Sequence, residues 1–166
     1  MKEQSIVLKQ KEIEQKTERI AFEIYENSFE ENEIVLIGIS GNGFLFAERL
    51  ARVLGNISDQ KIELCEITVN KDKPLDEEII ISVSDEQLTN KTIVLVDDVI
   101  NSGRTMIYAV KRILKTRLKS LQTAVLVNRT HRKFPVQANF VGLNIATTLK
   151  DSIIVELGEQ EVAYLA

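Results

Sequence analysis

Two adjacent carboxylates, Asp97 and Asp98, follow the apolar run Ile93-Val94-Leu95-Val96 and precede Asn101-Ser102-Gly103-Arg104-Thr105. That spacing has a chemical reading. A buried strand would deliver both acids to its own end, and the Ser-Gly pair would open a helix just beyond. Free backbone N–H groups at a helix start, flanked by Ser and Thr hydroxyls, form a cradle for phosphate. Gly103 lets the anion come close to the backbone. Carboxylates beside such a cradle would repel the phosphate itself, so they should serve sugar hydroxyls or a hydrated Mg²⁺. The ligand implied is a ribose 5-phosphate with free 2′ and 3′ hydroxyls. A single Asp ending a strand would carry no such reading.

A second candidate is Ile39-Ser40-Gly41-Asn42-Gly43, where two glycines after an apolar run expose N–H groups to an anion. A third is the basic turn Asn128-Arg129-Thr130-His131-Arg132-Lys133. The polar stretch Asn70–Glu78 reads as a loop, and its cations Lys71 and Lys73 could reach a bound anion. Each of these could also be an ordinary turn or a solvated loop. Cys65 reads as a small buried hydrophobe rather than a nucleophile. One cysteine and one histidine exclude an internal disulfide and a multi-Cys or multi-His metal site within the chain.

The elements that must position these residues follow from hydrophobic spacing. Lys9–Phe29 carries Ile13, Ile20, Ala21, Ile24, Tyr25 and Phe29 on one helical stripe. Ile34–Ile39, Thr92–Val96 and Thr123–Val127 are continuous apolar runs, expected of strands covered on both faces. Phe44–Leu54 reads as a helix stopped by Gly55-Asn56, and Thr105–Leu118 as a second amphipathic helix. Ile62–Val69 and Ile79–Val83 read as strands. Phe140–Ile145 and Ile153–Leu157 read as short strands in an irregular C-terminal region. The alternation predicts an α/β fold with a central parallel sheet flanked by helices, in one domain over residues 1–166. Ligands of such sheets bind at the carboxyl ends of the strands, where all three candidate segments fall.

Composition narrows the class. The chain has 166 residues, 44% hydrophobic and 28% charged, with 21 Lys plus Arg against 25 Asp plus Glu, a net charge of −4. A general nucleic-acid coat or a polybasic membrane binder is not expected. No apolar run approaches the roughly 18 residues of a membrane span. The start, Met1-Lys2-Glu3-Gln4, has no secretory h-region, which makes the cytoplasm the expected compartment.

The segment Val94–Thr105 resembles the signature of the type I phosphoribosyltransferases, which bind 5-phosphoribosyl 1-diphosphate (PRPP). Within that family the chain is most similar to the bifunctional pyrimidine-operon attenuation regulators that are also uracil phosphoribosyltransferases. The likeness runs through Arg19-Ile20-Ala21, Ile37-Gly38-Ile39, Leu50-Ala51, Ala124-Val125-Leu126-Val127, Asn128–Arg132, Pro135 and Val141–Ile145. It implies a Mg²⁺-dependent transfer of the phosphoribosyl group to a nucleobase, with uracil the favoured base, in a homodimer or larger homo-oligomer. Asp97 and Asp98 would hold the ribose hydroxyls. Mg²⁺ would be held mainly by PRPP, with Asp97 or Asp98 contributing through water. Asn101 to Thr105 would grip the 5-phosphate. Ser40, Gly41, Asn42 and Gly43 would form the pyrophosphate loop, in which the family often has a non-proline cis peptide. Phe134–Ile145 would form a hood over the base, with Asn128, Arg129, Phe140 and Val141 beside it. Lys71 and Lys73 would lie on the flexible loop, shorter here than in the regulators. His131-Arg132 matches a pair that the regulators turn toward RNA.

Three positions depart from the pattern. Asn101 stands where the family has a small residue or, in purine-specific members, an Asp. Asn42 stands where the regulators have an Arg. Asn128 stands where purine-specific members have a Lys and the regulators an Asp. The competing functions are therefore a transferase, an RNA-binding attenuation regulator that senses PRPP or nucleotides, and a phosphosugar binder without turnover. For the regulator, Lys111, Arg112, Lys115, Arg117 and Lys119 would cluster on one helix.

Overall fold

The computed structural model describes residues 4–166; Met1–Glu3, part of the charged start noted above, lie outside the described residues. Six strands form the main sheet: β2 (Glu33–Ile39), β3 (Lys61–Thr68), β4 (Ile80–Ile81), β5 (Thr92–Ile100), β6 (Ser120–Arg129) and β7 (Phe140–Ile145). Their order is β4-β3-β2-β5-β6-β7, and every pair is parallel except β3 with β4. Helices α1 (Gln10–Ser28) and α2 (Asn42–Ile57) cover one face, and α4 (Arg104–Ile113) the other; a short α3 spans Asp85–Leu88. Successive side chains on a strand point to opposite faces. Leu36, Val94, Val96, Ala124 and Leu126 accordingly pack with α1 and α2. Val35, Ile37, Ile93, Leu95 and Val125 pack with Met106, Ala109 and Ile113 of α4. Both faces are buried, which is why these strands show no polar alternation.

A second sheet joins the two chain ends. β1 (Ser5–Lys9) pairs antiparallel with β9 (Val162–Leu165), which pairs antiparallel with β8 (Ile153–Glu156). This three-stranded sheet stands over the carboxyl end of β5 as a hood. It is not built from Phe134–Ile145 as the sequence suggested, because β7 continues the main sheet in register with β6, Ala124 facing Phe140 and Asn128 facing Asn144.

Three boundaries also differ from expectation. α2 runs through Gly55 to Ile57, since a glycine costs a helix only about 1 kcal/mol and the Ser58 N–H and Oγ close the helix on the Leu54 carbonyl. α4 stops at Ile113, with tighter turns at Lys115 and Thr116, because the chain must turn back to β6: the Lys119 N–H donates to Lys91 O and the Asn90 N–H to Arg117 O. Lys115, Arg117 and Lys119 are thus not on that helix. β5 continues beyond the acids to Ile100, pairing there with β6 alone. β1, α3 and β9 carry no expectation from the sequence.

Candidate active site

The acids owe their position to a mismatch in strand length. β2 pairs with β5 as far as Gly38 facing Val96, then turns away at Ser40 and Gly41. Asp97 and Asp98 are therefore still held by β6 but have lost the neighbour on the other side, and a cleft opens there. Both are nearly buried, at 4% and 6% exposure. The Asp98 N–H donates to Asp97 Oδ1 at 2.9 Å. Burial, and next the charge of Asp98, hold the Asp97 carboxyl well above the usual carboxylate range; Lys71 opposes the shift.

The start of α2 closes one wall. A Cβ on Gly43 would lie 2.7 Å from Asp97 Oδ1, so only glycine admits the helix this close to the carboxylate. No peptide bond among the described residues is cis, so the turn before α2 is made with trans peptides, contrary to the family-based expectation; Gly41 takes φ 91°.

The cradle forms at the opposite wall. Gly103 caps α4 at φ 86°, a left-handed conformation that glycine adopts without a Cβ clash. The Arg104 N–H donates to Ser102 Oγ at 3.2 Å, while the Thr105 and Met106 N–H groups, in the first turn, have no intrahelical acceptor. The cavity between the walls has a volume of about 270 Å³ and is lined by Asn42, Lys71, Asp97 to Met106 and Ile153 to Val155. A helix start, two acids and a lysine thus line one cavity. Loop 70–78 reaches the cavity because Arg104 Nη2 donates to the Lys71 carbonyl at 2.9 Å.

Other expected residues lie elsewhere. Lys73 does not line the cavity; its N–H donates to Asn70 Oδ1, within the loop. Ser40 Oγ is bonded to Glu66 and Thr68 on the β3 side. Phe140 and Val141 are a correction. They begin β7, in register with Ala124 and Val125, about 13 Å along the strand from the Asn128–Asn144 end at roughly 3.3 Å per residue. Arg19 of α1 donates to the Val141 carbonyl, at 3.1 Å. Arg129 is buried and ties Thr147 and Thr148 to β6. Asn128 Nδ2 donates to Asn144 Oδ1 at 2.8 Å, and its Oδ1 accepts from Arg132. Arg132 also donates to the Asn101 and Arg129 carbonyls, so its guanidinium is turned inward, and burial lowers its pKa. Lys119 pairs with Glu31, and Arg112 with Asp85. Two of the cations expected on a regulator's basic face are thus ion-paired, while Lys111, Arg112 and Lys115 line one surface pocket.

Sequence reasoning missed β8 as part of the site. Asn42 Nδ2 donates to Val155 O at 2.6 Å. Asn101 Nδ2 donates to Ile153 O at 3.2 Å, and Asn101 Oδ1 accepts from Ile153 N at 3.0 Å. Two of the positions that depart from the family pattern therefore both hold one hood strand. The only signal available was that both departures are the same short carboxamide.

The acids fit Mg²⁺ held jointly with a substrate's phosphates. That ion binds through one or two carboxylates plus phosphate oxygens and retains its waters. The paired acids have no arginine or lysine within salt-bridge distance, and no cluster of three acidic, His or Cys ligands occurs among the described residues. A dedicated protein cage is thus not what these side chains form.

Comparison with known proteins agrees with this geometry. The phosphoribosyl transferase domain model matches residues 3–161. The bifunctional protein PyrR of Bacillus cereus (strain AH820) is 36% identical over 170 residues, covering 97% of this chain and 94% of that protein. That of Clostridium novyi (strain NT) is 36% identical over 169 residues, with 96% and 93% covered. Among solved structures, a hypoxanthine-guanine phosphoribosyltransferase from Bacillus anthracis superposes with a TM-score of 0.76 at 22% identity, covering 98% of both chains. The hypoxanthine phosphoribosyltransferase of Trypanosoma cruzi gives 0.78 at 19% identity, over 96% and 95%. At such identities the structures support the shared fold.

Proposed function

We propose that this chain, which belongs to the phosphoribosyltransferase family, transfers the 5-phosphoribosyl group of PRPP to uracil and releases pyrophosphate. The observation that carries the reading is the convergence of Asp97, Asp98 and the α4 start on one cavity, with Lys71 at its rim. The 5-phosphate is received by the N–H groups of Thr105 and Met106 and the hydroxyls of Ser102 and Thr105. Asp97 and Asp98 accept from the 2′ and 3′ hydroxyls. The ribose then spans the floor between them, with C1 directed toward β8.

Uracil N1 forms the bond to C1 as the C1–O bond to pyrophosphate breaks; the electron pair leaves on the pyrophosphate and the N1 proton passes to solvent. Asp97 or Asp98 would hold Mg²⁺ through water together with the substrate's phosphates, and the ion would supply charge neutralisation at the leaving group. Lys71 and the N–H groups of the Ser40–Gly43 turn supply the protein's own share. Most of the rate enhancement comes from holding reactants in line, so few side chains are chemically committed. Uracil is favoured over a purine because neither the Asp expected at position 101 nor the Lys expected at 128 is present. A regulator acting on RNA is not favoured, since Arg132 is turned inward.

Pyrophosphate release from PRPP with Mg²⁺ tests this across uracil, orotate, hypoxanthine, guanine, adenine and xanthine. Release with uracil, lost in Asp98→Asn, is the expected result. Release with another base alone would reassign the acceptor, and no release with any would overturn the transferase reading.

A further inference from the structure

We propose that Asn101 is a built-in competitor of the nucleobase, occupying the backbone edge of Ile153 that a base with adjacent C=O and N–H groups would take. The inference rests on the transferase reading above and assigns its specificity edge.

β8 is an edge strand. It pairs with β9 alone, and Ser152 and Ala166 exchange backbone bonds of 3.0 and 2.9 Å. In an antiparallel ladder the next residue points its N–H and C=O away from the partner. Ile153 is that residue, and it lines the cavity shared by the acids and the phosphate cradle. Its donor and acceptor are thus presented to the site as an unpaired strand edge, which seeks a planar partner.

Asn101 supplies that partner within the molecule. Its Oδ1 accepts from Ile153 N at 3.0 Å, and its Nδ2 donates to Ile153 O at 3.2 Å. A carboxamide carries one acceptor and one N–H donor on neighbouring atoms, and so does the lactam edge of uracil or of a 6-oxopurine. What satisfies the edge without a ligand therefore reports what the edge can recognise. It also has to leave before a base can bind there. Serine or alanine at this position could not span both groups, and aspartate could accept but not donate. Asn42 holds Val155 O independently, at 2.6 Å, so β8 keeps its place when Asn101 swings off.

The test compares ligands with and without a base. The full chain and its Asn101→Ala and Asn101→Ser variants are titrated by calorimetry with UMP, IMP and ribose 5-phosphate. Ribose 5-phosphate reaches the cradle and the acids but has no base, so damage to the phosphate loop weakens all three ligands together. The expected result is that the affinity of a nucleotide relative to ribose 5-phosphate rises about tenfold in both variants, the scale of exchanging one or two neutral hydrogen bonds. Amide hydrogen exchange gives a second readout: the Ile153 N–H is protected in the unliganded wild type, exposed in Asn101→Ala, and protected again by nucleotide. If the wild type prefers a nucleotide to ribose 5-phosphate and the variants leave that ratio unchanged, the competitor role is overturned while the transferase stands. If neither nucleotide outbinds ribose 5-phosphate in any of the proteins, the base site itself is overturned.

Discussion

Placing the same substitution at two positions of one helix tests how closely α2 approaches the acids. Gly43 and Gly55 both lie in α2. Replacing either by alanine should gain roughly 1 kcal/mol of helix propensity. At Gly55 a Cβ meets nothing within 4 Å, so the gain is kept. At Gly43 it falls 2.7 Å from Asp97 Oδ1 and 3.2 Å from Ile39 Cβ, well inside ordinary contact. The helix cannot slide away, because Gly38 is already packed under Phe44 Cα. Overpacking of this kind costs about 1–3 kcal/mol. Gly55→Ala should therefore stabilise the chain by roughly 0.5–1 kcal/mol, and Gly43→Ala should lower stability by up to about 2 kcal/mol. The displaced group is the carboxylate proposed above to anchor the ribose. Misplacement by several tenths of an ångström should cut kcat/KM for PRPP by about tenfold to a hundredfold. Urea denaturation and pyrophosphate release measure the two quantities. If both alanines stabilise equally and both retain full kcat/KM, α2 does not press on Asp97 and this account of the wall is wrong.

Asp97 should make the unliganded protein lose stability as pH rises. Its native pKa is raised by burial and by Asp98, so the native state retains a proton that the unfolded chain gives up above about pH 4. Asp97→Asn should flatten that decline in denaturation curves between pH 4 and 8, while weakening PRPP binding; a decline of equal slope in the variant would refute it. Gly103→Ala places a Cβ at φ 86°, 2.8 Å from Val136 Cγ1, and should destabilise by about 1–3 kcal/mol and weaken ribose 5-phosphate binding, read by thermal melting and calorimetry. Cys65 is 1% exposed and its thiol is pushed up to about 11 by burial, then by Glu63, so iodoacetamide at pH 8 should label it only in denaturant.

The sheet was legible in the chain because burial on both faces leaves a local trace, an unbroken apolar run, at β2, β5 and β6. The grouping of acids, turn and helix start was legible because these residues are contiguous from Asp97 to Thr105, and local chemistry shapes them. Helix ends were less legible. The end of α4 depends on where Lys91 and Arg117 meet, which no local signal at Ile113 encodes. The hood was only partly legible: Ile153–Leu157 reads as a strand, but the pairing that joins Ser5–Lys9 to Val162–Leu165 across the chain leaves no local trace. Phe140 and Val141 read as strand, and the resemblance placed them beside the base, yet their register with Ala124 and Val125 sets them far from the Asn128–Asn144 end of the sheet. Asn42 and Asn101 appeared in the sequence only as missing or altered ligand contacts. Only the tertiary structure, by bringing the free edge of β8 against a helix start and a loop more than fifty residues away, gave their side chains these partners.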